Sequence, residues 1–426
     1  MHKLSNFIEK NISNILTFFI IIQPFLDVIT GLTVNILKVN IPFAPVVRLI
    51  FMLICIYYTL FIYKDKKYCK DLFIIFIYLF IFCLSILVYR KNYLVYEITN
   101  LLNSFYLPFI LIGMLSMFKH KKIKLDIKII VITYLIYIFF IIFPSLTHTA
   151  FSSYRDSKVG YVGWFPLANI IGNSLTILLP ILFYYLFNLK KKLVLKLVIT
   201  AVVLYVFASI GTKVPILGLF ICIVFNLIYY YKKCFLNKKY KSIIISCIAS
   251  IFLFIISLII IPKTSFYKNI EIHKNFLGIN NYSEVFTNYK FLDHFVFSQR
   301  LTFLSTIHNS NKDCGIFKKL VGIGYVKNYG DEVSTKTIEI DYFDVFYQNG
   351  VIGTAVFFYV LISFFFRAFK NIKKSNLLNN EYRISMLLMI LIAFFAGHMF
   401  ISPAVAIYVA LVLVCAIEGG LNEKIN

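Results

Sequence analysis

Several residues of this chain have the types and spacing to do chemistry. Glu339, Asp341 and Asp344 place three carboxyl groups within one short stretch, and Asp341, Asp344 and Gln348 share one helical face. Acids so close together at the mouth of an apolar run suit a general base or a bound cation, or plain solvation just above an interface. Upstream, Ser298-Gln299-Arg300-Leu301 offers a guanidinium, whose planar fork binds phosphate or carboxylate through paired hydrogen bonds. Arg155 is a second such group. Lys213 follows Gly211-Thr212 at the start of an apolar run, where the positive helix dipole also favours an anion; a snorkelling lysine explains it equally. His148, His273, His294 and His308 fall in the same polar regions, and His294 and His308 flank Arg300.

Other polar side chains lie where they are expensive. Gln23, Asp27 and Thr30 share a face of the first apolar run, and Arg48 opens the second beside Pro42 and Pro45. Asp27 and Arg48 are expected at similar depth, where they form a structural ion pair or contribute to a lipid-headgroup site. Asn169, Asn173 and Thr176 share a face of a later run, as interhelical glue or the lining of a polar cavity. Trp164 is the only tryptophan and reads as an interfacial anchor.

The elements that position these residues are membrane helices. Hydrophobic residues make up 60% of the 426, charged residues 15%, and mean hydropathy is +0.83. A soluble domain is nearer half apolar and a quarter charged. Twelve spans are expected, at 14–31, 43–63, 72–89, 101–118, 129–145, 166–189, 193–210, 214–231, 243–261, 345–366, 384–401 and 403–418. The fold class is therefore an all-α polytopic helical bundle. A soluble enzyme, a secreted disulfide scaffold and a disordered chain are excluded. The eight cysteines form no CxxC, so neither a zinc site nor a disulfide framework is indicated. The acids at 339, 341 and 344 leave a bound cation open at this level, and no other cofactor is expected.

The net charge of +24 would suggest nucleic acid in a soluble protein, but its distribution argues otherwise. Alternate connectors are basic, as in Lys64, Lys66, Lys67 and Lys70, or Lys119, Lys121, Lys122, Lys124 and Lys128. Such connectors, with Lys3, Lys10 and Lys424, hold 26 of the 43 Lys and Arg residues. The positive-inside rule then puts both termini in the cytoplasm, the first span being retained uncleaved. Nucleic acid is rejected as a partner.

Two polar regions face outward, 145–165 and the long segment 262–344. The latter carries ten Lys or Arg against nine Asp or Glu and many aromatics, so it reads as a folded, partly helical cap rather than a linker. The expected organisation is helices 1–9 in 1–261, an extracytoplasmic loop in 262–344, and helices 10–12 with a cytoplasmic tail in 345–426.

The sequence resembles the O-antigen ligase and Wzy-type polysaccharide polymerase superfamily, in its Gram-positive capsule-type form. Four places carry the resemblance: Gln23-Pro24-Phe25-Leu26-Asp27 to Gly31; 155–172 with Gly163-Trp164-Phe165 and Ala168-Asn169; Ser298-Gln299-Arg300, with Gln299 where the family has Gly; and 339–353. Counting back from Gly350 and Gly353, Glu339 stands where many ligases carry a histidine. That substitution fits the acidic variant of capsular polymerase-like members.

The resemblance implies a GT-C-like bundle that joins sugars at the outer face of the bacterial cytoplasmic membrane. The implied donor and acceptor are glycans on undecaprenyl pyrophosphate, with no metal needed. Arg300, Arg155 and Lys213 are the cations expected to hold the leaving pyrophosphate. Glu339 is the expected base, with Asp341 as alternate or orienting group and His294 or His308 as further alternatives. Asn169, Arg48 and Asp344 are candidates for glycan or headgroup contact. A chain-length regulator and a flippase are expected partners. Three other readings remain consistent with the chain: ligase-type transfer of a finished glycan to a wall or other acceptor, flipping of lipid-linked sugars or other transport, and a membrane scaffold without chemistry. The long outer segment with its paired Arg and acids weighs against the transporter.

Overall fold

The computed structural model describes residues 2–39, 41–154, 158–189, 192–327, 329, 333–372 and 376–422. The chain is a helical bundle. Its helices are α1 His2–Asn35, α2 Phe43–Tyr63, α3 Lys66–Tyr89, α4 Leu94–Lys121, α5 Ile127–Leu146, α6 Ala168–Asn188, α7 Leu193–Ile210, α8 Lys213–Leu236 and α9 Tyr240–Ile260. Five short helices follow: α10 Ser265–Leu277, α11 Glu284–Thr287, α12 Tyr289–Leu292, α13 Arg300–Asn311 and α14 Ile316–Val321. The last three are α15 Asp341–Asn371, α16 Leu377–Phe395 and α17 Pro403–Glu418. Among the described residues ten helices are long and apolar enough to cross a bilayer, and α17 is a shorter apolar helix. The only ladder among the described residues is a two-residue parallel pairing of Leu125–Asp126 with Leu421–Asn422.

Burial follows composition. The middle of α4 and nearly all of α17 are apolar on every side, and both lie inside the bundle, α17 packing on α4, α15 and α6. Alanines 404, 406, 410 and 416 let α17 approach its neighbours closely. At Gly113 of α4 the approach is closer still, since a Cβ there would come within 2.2 Å of the Cys55 Cβ of α2. Peripheral helices keep large apolar side chains exposed, as at Phe73, Phe80 and Leu87 of α3 and Ile244, Ile248 and Ile255 of α9. Water would oppose that surface, whereas lipid is its natural solvent.

The eleventh expected span differs from what is observed. Helix α16 ends at Phe395, not at 401, and residues 396–402 are irregular. Gly397 and His398 are both left-handed, at φ +66° and +58°, which stops the helix. Helix α15 starts at Asp341, ahead of the expected span start at 345, and is broken at Gly350 (φ 65°, ψ −174°). A Cβ at Gly350 would lie within 2.5 Å of the Gly322 nitrogen and the Leu320 oxygen, so the break lets α14 and the turn after it sit against α15.

The segment containing α10 to α14 is tied to one end of the bundle. Asn269 of α10 donates to Val159 O (2.6 Å) and Gly211 O (2.9 Å) and accepts from Val159 N (2.7 Å). The backbone N–H groups of Tyr325 and Val326 donate to the buried Glu97 carboxylate at 3.0–3.2 Å. Tyr78 of α3 donates to Asn349 O at 2.9 Å. These bonds tie the segment to the start of α4, to the turn between α7 and α8 and to the stretch before α6, and tie α3 to α15, along one rim of the bundle.

Candidate active site

Arg300 is the first residue of α13, and the turn before it is unusual. Ser298 and Gln299 both adopt left-handed backbone, at φ 54° and 70°. The buried Asp293 carboxylate holds the turn by accepting from Leu301 N (2.9 Å), Thr302 N (3.0 Å) and Thr302 Oγ1 (2.6 Å). An acid on these N–H groups satisfies the orphan donors of a helix start and complements its dipole. Arg300 is thereby aimed inward. Its guanidinium donates to Glu339 Oε2 at 3.0 Å, Ala396 O at 3.2 Å and Phe297 O at 3.1 Å, while Nε is buried without a partner.

Glu339 receives a second cation, Lys336 Nζ, at 2.8 Å from Oε1. Burial alone would raise this carboxyl, but the Lys336 hydrogen bond and the charges of Arg300 and His398 hold it below its ordinary value. Glu339 itself is left-handed, at φ 63°. Four non-glycine residues in that sparsely populated region, Ser298, Gln299, Glu339 and His398, thus gather at one place. Strain of this kind persists only where surrounding contacts over-determine it, and it concentrates at functional sites.

The other two acids are engaged with backbone. Asp341 is fully buried; its Oδ1 accepts from His398 N (2.6 Å) and its Oδ2 from Met399 N (2.8 Å) and Phe400 N (2.7 Å). It is the clamp that fixes the loop after α16. Asp344 is also buried, and its Oδ1 accepts from Ile338 N at 2.8 Å, pinning the residue next to Glu339. Asp344 Oδ2 is buried with no hydrogen-bond partner among the described residues.

A second group of cations converges on Arg300. Lys213 donates to the Phe295 carbonyl and lies over the Phe295 ring, 5.2 Å from its centroid. Lys158 lies over Tyr154 at 5.0 Å. The charges of Lys158, Lys213 and Arg300 bear on one another, and burial together with the Arg300 charge lowers the Lys158 amine. Burial, with Lys158, Lys213 and His294, pushes the neighbouring His273 down to about 4, so it is neutral at ordinary pH. Among the described residues neither lysine has an ion-pair partner. Like charges held together out of bulk water raise the energy of the empty site and favour a bound anion.

The remaining expected residues are distributed as follows. Asn173 Nδ2 donates to Gly397 O at 2.9 Å, and Asn169 lies one turn nearer the rim on that face, half-buried and with no side-chain hydrogen bond among the described residues. Thr176 is turned to its own helix, donating to Gly172 O at 2.6 Å. His294 Nδ1 is 3.3 Å from Gln299 Nε2, and His308 Nδ1 is 2.9 Å from Tyr347 Oη, two turns beyond Arg300. Arg155 lies outside the described residues.

Arg48 is not brought to this site. Its guanidinium donates to Asp27 Oδ1 at 2.6 Å and Gln23 Oε1 at 2.9 Å, and Tyr137 closes the far side of Asp27 at 3.3 Å. This arrangement satisfies α1 and α2 internally and leaves Arg48 as an interhelical tie. Lys158, Asp293, Lys336 and His398 are the site residues that sequence reasoning missed, and His273 was named only with the other histidines of the polar regions. Lys336, three residues before Glu339, and Asp293, seven before Arg300, carried a local signal. His398 carried none, being placed inside a span.

An apolar helical bundle whose rim carries clustered cations and acids defines a multi-pass membrane protein. The chain belongs to the O-antigen ligase like membrane proteins, whose family model matches residues 9–289 and 287–418. That membership points to a membrane enzyme that transfers lipid-linked glycan. No curated protein and no solved structure matches the sequence.

Proposed function

We propose that the protein polymerises undecaprenyl-pyrophosphate-linked repeat units into a surface polysaccharide at the outer face of the cytoplasmic membrane, with both termini inside. The observation that carries this reading is the Arg300–Glu339 pair, held at 3.0 Å under the converging charges of Lys158 and Lys213. The donor's diphosphate competes with Glu339 for Arg300. Arg300, Lys158 and Lys213, with Arg155 as a further candidate, then stabilise the charge that grows on the diphosphate as its bond to the anomeric carbon breaks. Glu339, released from Arg300, accepts the proton of the attacking hydroxyl. Asp341 and Asp344 hold the two backbone segments that meet at this pair, and Asn169 faces the glycan. A chain-length regulator and a flippase are the proposed partners.

The test uses a strain carrying each variant at matched expression, with lipid-linked glycans separated on gels. Arg300→Lys keeps the charge but loses the fork, so it is nearly as damaging as Arg300→Ala. Glu339→Gln removes the base and lowers polymer by about 10²–10⁴-fold. Single lipid-linked repeats accumulate in these strains. Native polymer from both Arg300→Ala and Glu339→Gln would sink the site. If deletion leaves polymer intact but unattached, ligase-type transfer replaces polymerisation.

A further inference from the structure

We propose that His398 is a further catalytic residue of this centre, the group that finally receives the proton released by the acceptor hydroxyl. The inference rests on the reading of Arg300 and Glu339 as the centre of a glycosyl transfer. The stretch 396–400 lies against Arg300, Asp341 and the backbone of Glu339. Ala396 O accepts from Arg300, and a Cβ at Gly397 would lie only 2.5 Å from Glu339 O. The Asp341 carboxylate binds three successive N–H groups beginning with that of His398.

His398 sits in left-handed backbone at φ 58°, where glycine or asparagine fits with less strain. Its ring gives nothing structural in return. It is half-exposed, and neither ring nitrogen makes a hydrogen bond among the described residues. A strained position that carries an unengaged imidazole beside a buried acid is a reason to assign function there.

The chemistry requires such a group. Both oxygens of Glu339 face cations, Arg300 and Lys336, and the carboxyl is held low. A carboxyl held low keeps a proton poorly, whereas the His398 ring, with no hydrogen-bond partner among the described residues, has a nitrogen free to accept one. The charged groups at this corner are Glu339 and Lys336 from the segment before α15, Asp341 on α15 and Arg300 on α13. His398 donates its backbone N–H to Asp341 and follows Gly397, which packs on the Glu339 backbone, so the imidazole stands on a loop that touches both acids' residues.

The step balances as follows. The acceptor oxygen bonds to the anomeric carbon, and the bond from that carbon to the diphosphate breaks. The electron pair leaves with the diphosphate, which Arg300 holds. The hydroxyl proton passes through the Glu339 carboxylate to a ring nitrogen of His398, which sheds it to solvent when the products part.

The test compares His398→Gly and His398→Asn, both of which fit the backbone, in cells that make their own lipid-linked glycan. The detergent-purified variants are expected to melt at or above the native temperature. Long polymer falls by about 10²-fold or more in both. Imidazole in the medium restores part of the polymer in His398→Gly and none in Arg300→Ala. Native polymer from either His398 variant overturns the proposal. So does a lowered melting temperature in both, which marks a structural role, or the absence of any response to imidazole. Native polymer from Arg300→Ala would instead remove the underlying reading.

Discussion

Replacing Asp341 separates a structural carboxylate from a chemical one. Its two oxygens accept three buried N–H groups at 2.6–2.8 Å. Hydrogen bonds to a charged group contribute about 1.5–3 kcal/mol each. Asp341→Ala removes both acceptor oxygens and all three hydrogen bonds, leaving the donors empty, a loss on the order of 5 kcal/mol. Asp341→Asn keeps one oxygen, which can retain the Met399 and Phe400 bonds, but turns an NH₂ toward the His398 N–H. That costs roughly 2 kcal/mol. Thermal unfolding in detergent, followed by size-exclusion profile, is expected to rank native above Asn above Ala. Polymer falls in the same order, because the 396–400 loop carries the carbonyl that holds Arg300. Native melting by Asp341→Ala would refute the clamp. Native melting with abolished polymer in Asp341→Asn would make Asp341 the base.

Three further outcomes are expected. Asp27→Asn and Arg48→Gln each reduce folded protein by stranding a buried charge, and the double variant recovers part of the loss; additive losses in the cycle would count against the pair. A cysteine-reactive label at Asn281 reacts from outside the cell and one at Asn237 only after permeabilisation; protection of Asn281 would invert the orientation. Glu339 is held below its ordinary value of 4.5, so the stability it contributes is complete above that pH and is lost as pH falls through its lower folded value. Unfolding of native protein and Glu339→Gln between pH 3 and 6 should therefore converge at the acid end, and parallel curves would refute the linkage.

Much of the architecture is legible in local sequence. Each of the twelve expected segments overlaps a helix, because apolar runs bounded by lysines report on solvent preference residue by residue. The misplaced boundary is instructive. Residues 396–401 are apolar enough to extend a span, yet Gly397 and His398 leave the helix. The acceptor for the freed N–H groups is Asp341, more than fifty residues earlier. Hydropathy contains no record of that partner. The same gap hid His398 as a candidate.

The site divides in the same way. Arg300 and Glu339 were singled out as candidates by residue type together with the resemblance of their flanking motifs to the family. Their pairing across 39 residues was not legible, because it depends on the left-handed turn that Asp293 holds and on the Ala396 carbonyl just beyond the end of α16. Three acids looked equivalent in sequence, and only the fold distinguishes them. Glu339 faces cations, whereas Asp341 and Asp344 face backbone N–H groups. Arg48 looked like Arg300 by type, and the fold gives it Asp27 and Gln23 at a different place. Sequence alone determined which segments prefer lipid and which side chains can carry charge. Tertiary structure decided which charges meet, because a buried donor takes the acceptor that the packed helices bring to it.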